Sequence, residues 1–441
     1  MSKTIVAIVV VAILVIAGAG AAFVLASNGK DNTSSANPAE INFITGLEAV
    51  GSGVFYDKNK VTASDLFADD ILTADGLSVR EDVTVKYKAA GWNKLIIGTP
   101  TATAIQQIQI KTIVEQYLND ASKVVDTPRE YKYVSWQEGQ KLEDGEVYFV
   151  LYGTGTSDAI LAHTYDNVDL GITWQPNFSK VVADSRYTSL VRTNELFPHQ
   201  TCCVTIANAK FVQENPEVAE RVVWAIVQGT NWLNAAKAAG ESNPNDVNYQ
   251  ALLNIGRVVG GDTFTKEDLI VPFNDVEYAW SDNDANPNAE RNSPLDTLKS
   301  DVVQQVEDLY NGRAISNNYS DLGFSSWADY ADSLVDDTVL RNIINNGVDN
   351  VPAWTDEATV KFKLISGDIH QLPVHIAATL LPGQTQTFFE QAGIDFQEAG
   401  IRATGSGQVV TTLHAGEADF AVSGQPGVLI DNINNKFTVK D

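Results

Sequence analysis

Along the chain, short runs of β-branched and aromatic residues alternate with longer stretches whose apolar positions recur at helical spacing. The short runs predict strands at Ile41–Thr45, Leu95–Gly98, Val147–Leu151, Leu170–Trp174, Val204–Ala207, Val360–Ile365 and Ala418–Val422. Ile105, Ile108, Ile113, Val114 and Tyr117 fall close to one helical face and predict a helix over Ile105–Leu118. Asn215-Pro216 opens another over 216–238, because proline suits the first turn of a helix. Asp301–Leu309 and Trp327–Ile344 read as further amphipathic helices, and 211–350 as almost entirely helical. Alternation of this kind predicts an α/β protein with largely parallel sheets covered by helices.

One apolar stretch has no such period. Ile5 to Ala26 is nearly unbroken, long enough at about 1.5 Å per residue to span a bilayer core of roughly 30 Å. Residues 1–27 therefore read as a retained transmembrane anchor, with a cleaved signal peptide as the alternative. Either one exports the remainder, so the domain is expected on the extracellular side of the cell membrane, or secreted if the segment is cleaved. Residues 28–39 are polar and small, a flexible tether. Export gives meaning to the sequons at Asn32, Asn177 and Asn318.

Charge and composition narrow the chemistry. The 441 residues carry 30 Lys+Arg against 56 Asp+Glu, a formal charge of −26, which repels phosphodiester backbones and argues against a nucleic-acid partner. Two cysteines exclude a disulfide scaffold, a four-thiolate zinc site and an iron–sulfur cluster. Cys202 and Cys203 are adjacent and read as buried small residues entering a strand, as a strained vicinal disulfide, or as ligand-facing thiols. The histidines are scattered at 163, 199, 370, 375 and 414, so neither a metal site nor a cofactor is expected. No Gly-x-Ser-x-Gly elbow, phosphate loop or His-Glu-x-x-His helix is present, and no catalytic residue or enzymatic activity is expected.

Several strand ends instead share small, hydroxyl or glycine residues leading into a helix: Gly98-Thr99-Pro100-Thr101, Thr404-Gly405-Ser406-Gly407 and Val422-Ser423-Gly424. Backbone N–H groups at such starts can stabilise an anion without a lysine. Together they point to a small-ligand cleft beyond the carboxyl ends of the strands.

At these residues the chain resembles the solute-binding proteins of ABC importers, in the nitrate/sulfonate/taurine and thiamine-pyrimidine-precursor group. The resemblance is carried by Ile365 to Pro373, Phe388 to Ile394, Leu413 to Ala421, Gly98-Thr99-Pro100, Trp174-Gln175-Pro176 and Glu195 to Val204. It implies a two-lobed periplasmic-binding-protein-like fold of type II and a small anionic or zwitterionic solute, such as nitrate, a sulfonate or a pyrimidine precursor. The implied partners are a permease with its ATPase, and the chain is expected to be a monomer. A membrane-anchored sensor or adhesion domain on the same fold is the alternative. The segments that open the family's mature proteins lie here at 360–426, so the order implies a circular permutation. A truncated tandem repeat and a segment completing a neighbouring chain's lobe are the other readings. On the permuted reading, 40–60 with 351–441 form the first lobe, 61–207 the second, and 208–350 a helical segment packed on both. The expected ligand-binding residues are Thr101, Thr103, Ala104, Trp174, Gly367, Asp368, His370, Ser406, Gly407 and Ser423.

Overall fold

The computed structural model of the chain describes residues 41–49, 52–59, 94–101, 104–118, 132–135, 146–152, 155–161, 170–197, 200–261, 264–282, 293–311 and 314–435. The anchor and tether segments, Thr103, His163, His199 and the last six residues lie outside the described residues. Among the described residues no helix is long and apolar enough to cross a membrane.

The strands are β1 (Ile41–Ala49), β2 (Ser52–Asp57), β3 (Lys94–Thr99), β4 (Lys132–Ser135), β5 (Glu146–Leu151), β6 (Leu170–Trp174), β7 (Tyr187–Arg192), β8 (Thr201–Asn208), β9 (Tyr278–Ala279), β10 (Ala358–Lys363), β11 (Ile394–Glu398) and β12 (Phe420–Gly424). They form two six-stranded sheets, in the orders β11-β10-β12-β8-β1-β9 and β4-β5-β3-β6-β2-β7. The chain crosses between the sheets from β1 into β2 and back from β7 into β8, through the short helix Thr193–Leu196.

Both sheets are mixed, not largely parallel. β10 runs parallel to β11 and β12, and β3 to β5 and β6. The crossing strands reverse direction: β8 is antiparallel to β12 and β1, and β2 to β6 and β7. The two sheets also divide elsewhere than at residues 60 and 207. β2 belongs with the β3 sheet although it precedes residue 60, and β8 belongs with the β12 sheet although it begins before 207.

The larger core lies under the first sheet. Phe362 stacks on Phe420 with ring centroids 5.3 Å apart, Phe389 on Phe396 at 4.9 Å, and Phe211 meets Phe420 edge-on. The Pro216–Ser242 helix buries Val222, Val223, Trp224, Ile226 and Leu233 against this core. A smaller cluster of Phe55, Ile160, Phe178, Val181 and Tyr187 serves the second sheet. Asn177, the centre of one sequon, is buried with its Oδ1 accepting the Ser157 N–H.

The stretch 211–350 is mainly helical but not wholly so. Tyr278–Ala279 adds to the free side of β1. The expected helix Trp327–Ile344 is two, Trp327–Leu334 and Thr338–Asn346. The break lies where Val335 bridges to Phe43 and the Asp336 N–H donates to Phe43 O at 2.9 Å, so β1 captures backbone that a continuous helix would consume.

Candidate ligand site between the two sheets

A cavity lies between the two sheets, beyond the carboxyl ends of several strands. Pro100 and Thr101 follow β3, Trp174 ends β6, Ile365 follows β10 and Gly424 ends β12. Ala104, Ile105 and Gln106 enter it from the start of the Ile105–Leu118 helix. From the other sheet come Cys202 and Cys203, Asp368 and His370, and the loop Thr404-Gly405-Ser406. About 50 Å³ is open to the centre of a water-sized molecule. At roughly 10–15 Å³ per water, that holds about three to five waters, so the space suits a ligand of a few non-hydrogen atoms.

The Asp368–His370 wall is fixed by its own turn. Gly367 takes φ +72°, a left-handed conformation that favours glycine, and reverses the chain after β10. Asp368 caps the 3-10 turn Ile369–Gln371, its Oδ1 accepting the His370 N–H at 3.0 Å. The Gln371 amide closes the loop, with Oε1 accepting from the Ile365 N–H at 2.9 Å. The Tyr278 hydroxyl donates to Ile369 O at 2.9 Å and ties the turn to the helical segment. A buried loop satisfied in this way holds one geometry.

Inside it, His370 Nδ1 lies 3.0 Å from Asp368 Oδ1. Burial opposes charge on both groups, yet each holds the other ionised. The Asp368 carboxylate, with Cys202, raises His370 well above the usual histidine range, and His370 holds Asp368 below the usual carboxylate range. The Cys203 thiol lowers Cys202 to about 6 against the effect of burial, and His370 adds to the lowering. His370 Nε2 is buried with no hydrogen-bond partner.

The cysteines reach the cavity through an irregularity in β8. Cys203 pairs with Glu48 while Thr201 pairs with the next residue of β1, Ala49, so Cys202 is an extra residue in the ladder, a β-bulge. Neither cysteine is in a disulfide, and their sulfurs are 3.6 Å apart. On the opposite wall, Trp174 packs over Gly155, where an added Cβ would stand 1.9 Å from the indole ring. Trp174 Nε1 is buried and has no partner. Lysine and arginine are absent from the lining among the described residues.

Of the residues expected from the sequence, Thr101, Ala104, Trp174, Asp368, His370 and Ser406 line the cavity. Gly367, Gly407 and Ser423 adjoin lining residues without lining it themselves. Gly367 acts through its turn, Gly407 faces open space, and the Ser423 hydroxyl, buried in β12, donates to Gly424 O at 3.4 Å. Gln106 was not expected. Its Nε2 donates to Ser52 Oγ at 2.9 Å, and nothing in the sequence singles it out from Gln107 and Gln109 in the same helix start.

No protein-family profile matches the chain, and no curated protein matches it. Two solved structures are similar to it. One is the ligand-binding component of an ABC-type import system from Staphylococcus aureus with zinc bound, 8% identical over 69% of this chain and 74% of that one, with a TM-score of 0.37. The other is the periplasmic nitrate-binding protein NrtA from Synechocystis PCC 6803, 12% identical over 70% of this chain and 69% of that one, with a TM-score of 0.42. Likenesses this distant leave the chain's function to be read from its own cleft.

Proposed function

We propose that the chain is the extracytoplasmic binding component of an ABC importer, capturing a small anionic or zwitterionic solute between its two lobes. The observation that carries this reading is a cavity of a few waters' size, lined from both sheets, beneath a two-strand crossing. Such a crossing is a natural hinge, and ligand held by both sides stabilises the closed form. Away from the cavity, Gln175 Nε2 donates to Asp275 Oδ2 at 2.5 Å and Arg192 pairs with the same carboxylate, which ties the ends of β6 and β7 to the helical segment. Thr101, Ser406 and the unpartnered indole N–H of Trp174 would hold the solute, with a permease and its ATPase receiving it. Membrane anchoring through residues 1–27, the circular permutation and a monomeric state belong to the same proposal.

The test is a thermal-shift and calorimetric screen of the chain from residue 40 against nitrate, sulfonates, taurine and pyrimidines. One class should raise the melting temperature and shrink the radius of gyration. Trp174→Ala, which strips one wall, should weaken that ligand at least tenfold. A panel without a hit, or a hit unaffected by Trp174→Ala, would sink the assignment.

A further inference from the structure

The β8 bulge, the partnerless His370 Nε2 and the Asp368–His370 pair meet on one wall of the cavity. In a regular strand neighbouring side chains point to opposite faces, so adjacent cysteines hold their sulfurs well apart. With the extra residue at Cys202 the two sulfurs stand 3.6 Å apart, and both cysteines line the cavity. Two zinc–thiolate bonds of about 2.3 Å at a tetrahedral angle separate their sulfurs by about 3.8 Å. The pair is therefore spaced as two ligands of one ion. A ring nitrogen of His370 completes a group of three ligand atoms within 4.8 Å of one another. Asp368 plays the part of an orienting carboxylate. Nδ1 lies 3.0 Å from Asp368 Oδ1 and 3.9 Å from Cys203 Sγ. With one ring proton kept on Nδ1 for Asp368, release of the other to an incoming metal frees the lone pair of the unpartnered Nε2. All four side chains are at most 5% exposed.

We propose that Cys202, Cys203 and His370 bind one thiophilic divalent metal ion, of which Zn²⁺ is the probe, with Asp368 as the positioning residue. Two thiolates and an imidazole select such an ion over Mg²⁺ or Ca²⁺, which take oxygen ligands. Three protein ligands leave a fourth position for a small molecule in the cavity. This goes beyond solute capture and does not depend on it. Scattered histidines and only two cysteines hid the site in the sequence, because His370 lies 167 positions from Cys203.

The full chain, reduced and stripped with a chelator, is titrated with Co²⁺ and then Zn²⁺. One Co²⁺ should bind, giving a thiolate-to-cobalt charge-transfer band in the near ultraviolet and the visible absorption of tetrahedral cobalt. One equivalent of Zn²⁺ should abolish both, and Mg²⁺ should not. Cys202→Ser and Cys203→Ser should each remove about half of the charge-transfer intensity. Asp368→Asn should keep the band but weaken Zn²⁺ by about 10–100-fold. A wild-type chain with no charge-transfer band, or a band at full strength in both serine variants, overturns the site. The wild-type spectrum needs no variant to fold. A chain that gives these spectra yet responds to no solute supports the metal site and counts against solute capture alone.

Discussion

His375 lies in the Leu372–Ala377 helix just beyond the His370 turn, and the two rings are driven in opposite directions. His370 has a carboxylate within reach, whereas His375 is buried beside Arg402 with its Nε2 unpartnered. Burial first, and the Arg402 charge second, lower His375 from the usual 6.5 to about 4. The sign follows directly. Between 6.5 and 4 the unfolded chain takes up a proton that the folded chain refuses, so stability falls as pH falls through that window and is whole above it. A shift of that size corresponds to roughly 3 kcal/mol. His375→Leu should flatten this part of the curve: melting measured at both ends of the window should differ less than in the parent. An equally steep decline in the variant would assign the acid sensitivity to other groups. At this scale the sequence showed which residues could carry chemistry but not which ones meet. Asp368 and His370 are legible because they share one turn. The sulfurs are not, since their common direction comes from pairing with β1, and β1 is far from them in the chain.

Elements built on strong local pattern were legible for a related reason. Asn215-Pro216 and the apolar period after it mark the start of the Pro216–Ser242 helix, and Ile105–Leu118 follows its own spacing. Strands such as Ser52–Asp57 and Tyr187–Arg192 carry no clear pattern because glycine and polar residues interrupt them, and they pair with each other across more than a hundred residues of chain. The expected single helix Trp327–Ile344 rests on an amphipathic period that runs on past residue 335, where pairing with β1 overrides it. Tertiary contact also fixes how closely helices approach. At Gly229 the Pro216–Ser242 helix touches the Leu372–Ala377 helix, and an added Cβ would stand 2.3 Å from Pro373 O. The obstacle is backbone, so no rotamer change relieves it. Gly229→Ala gains about 1 kcal/mol in helix propensity. Overpacking of this kind costs about 1–3 kcal/mol and sometimes more, and this clash belongs at the upper end. The net expectation is destabilisation by about 2 kcal/mol in urea unfolding. Because the Leu372–Ala377 helix continues directly from the His370 turn, the same variant should also weaken Zn²⁺ binding. A variant as stable as the parent would mean that the two helices slide apart without penalty.

Across the whole molecule, the first sheet is assembled from four distant stretches: β1, β8, β9 and the β10–β12 segment. β12 lies between β10 and β8 and pairs with β8 from Phe420↔Ala207 to Gly424↔Cys203. Removing residues 358–441 would strip β8 of that partner, uncover Val204 and Ile206, and take away one wall of the cavity. A net stability of about 5–15 kcal/mol does not survive such a loss. The chain ending at residue 357 should therefore show no cooperative thermal transition and should bind a hydrophobic dye. Chain order is a separate matter, because contacts and not connectivity hold the sheet. Residues 353–357 form an exposed, irregular connection to β10, a place where a chain tolerates new ends. If the fold is a permuted one, a gene encoding 358–441, a flexible linker and then 40–357 should give a protein melting within a few degrees of the parent and keeping the cobalt spectrum. Circular dichroism and the charge-transfer band would read both properties from one sample. A rearranged chain that stays unfolded, while the parent from residue 40 folds, would show that the present order is required and would remove the permutation from the account.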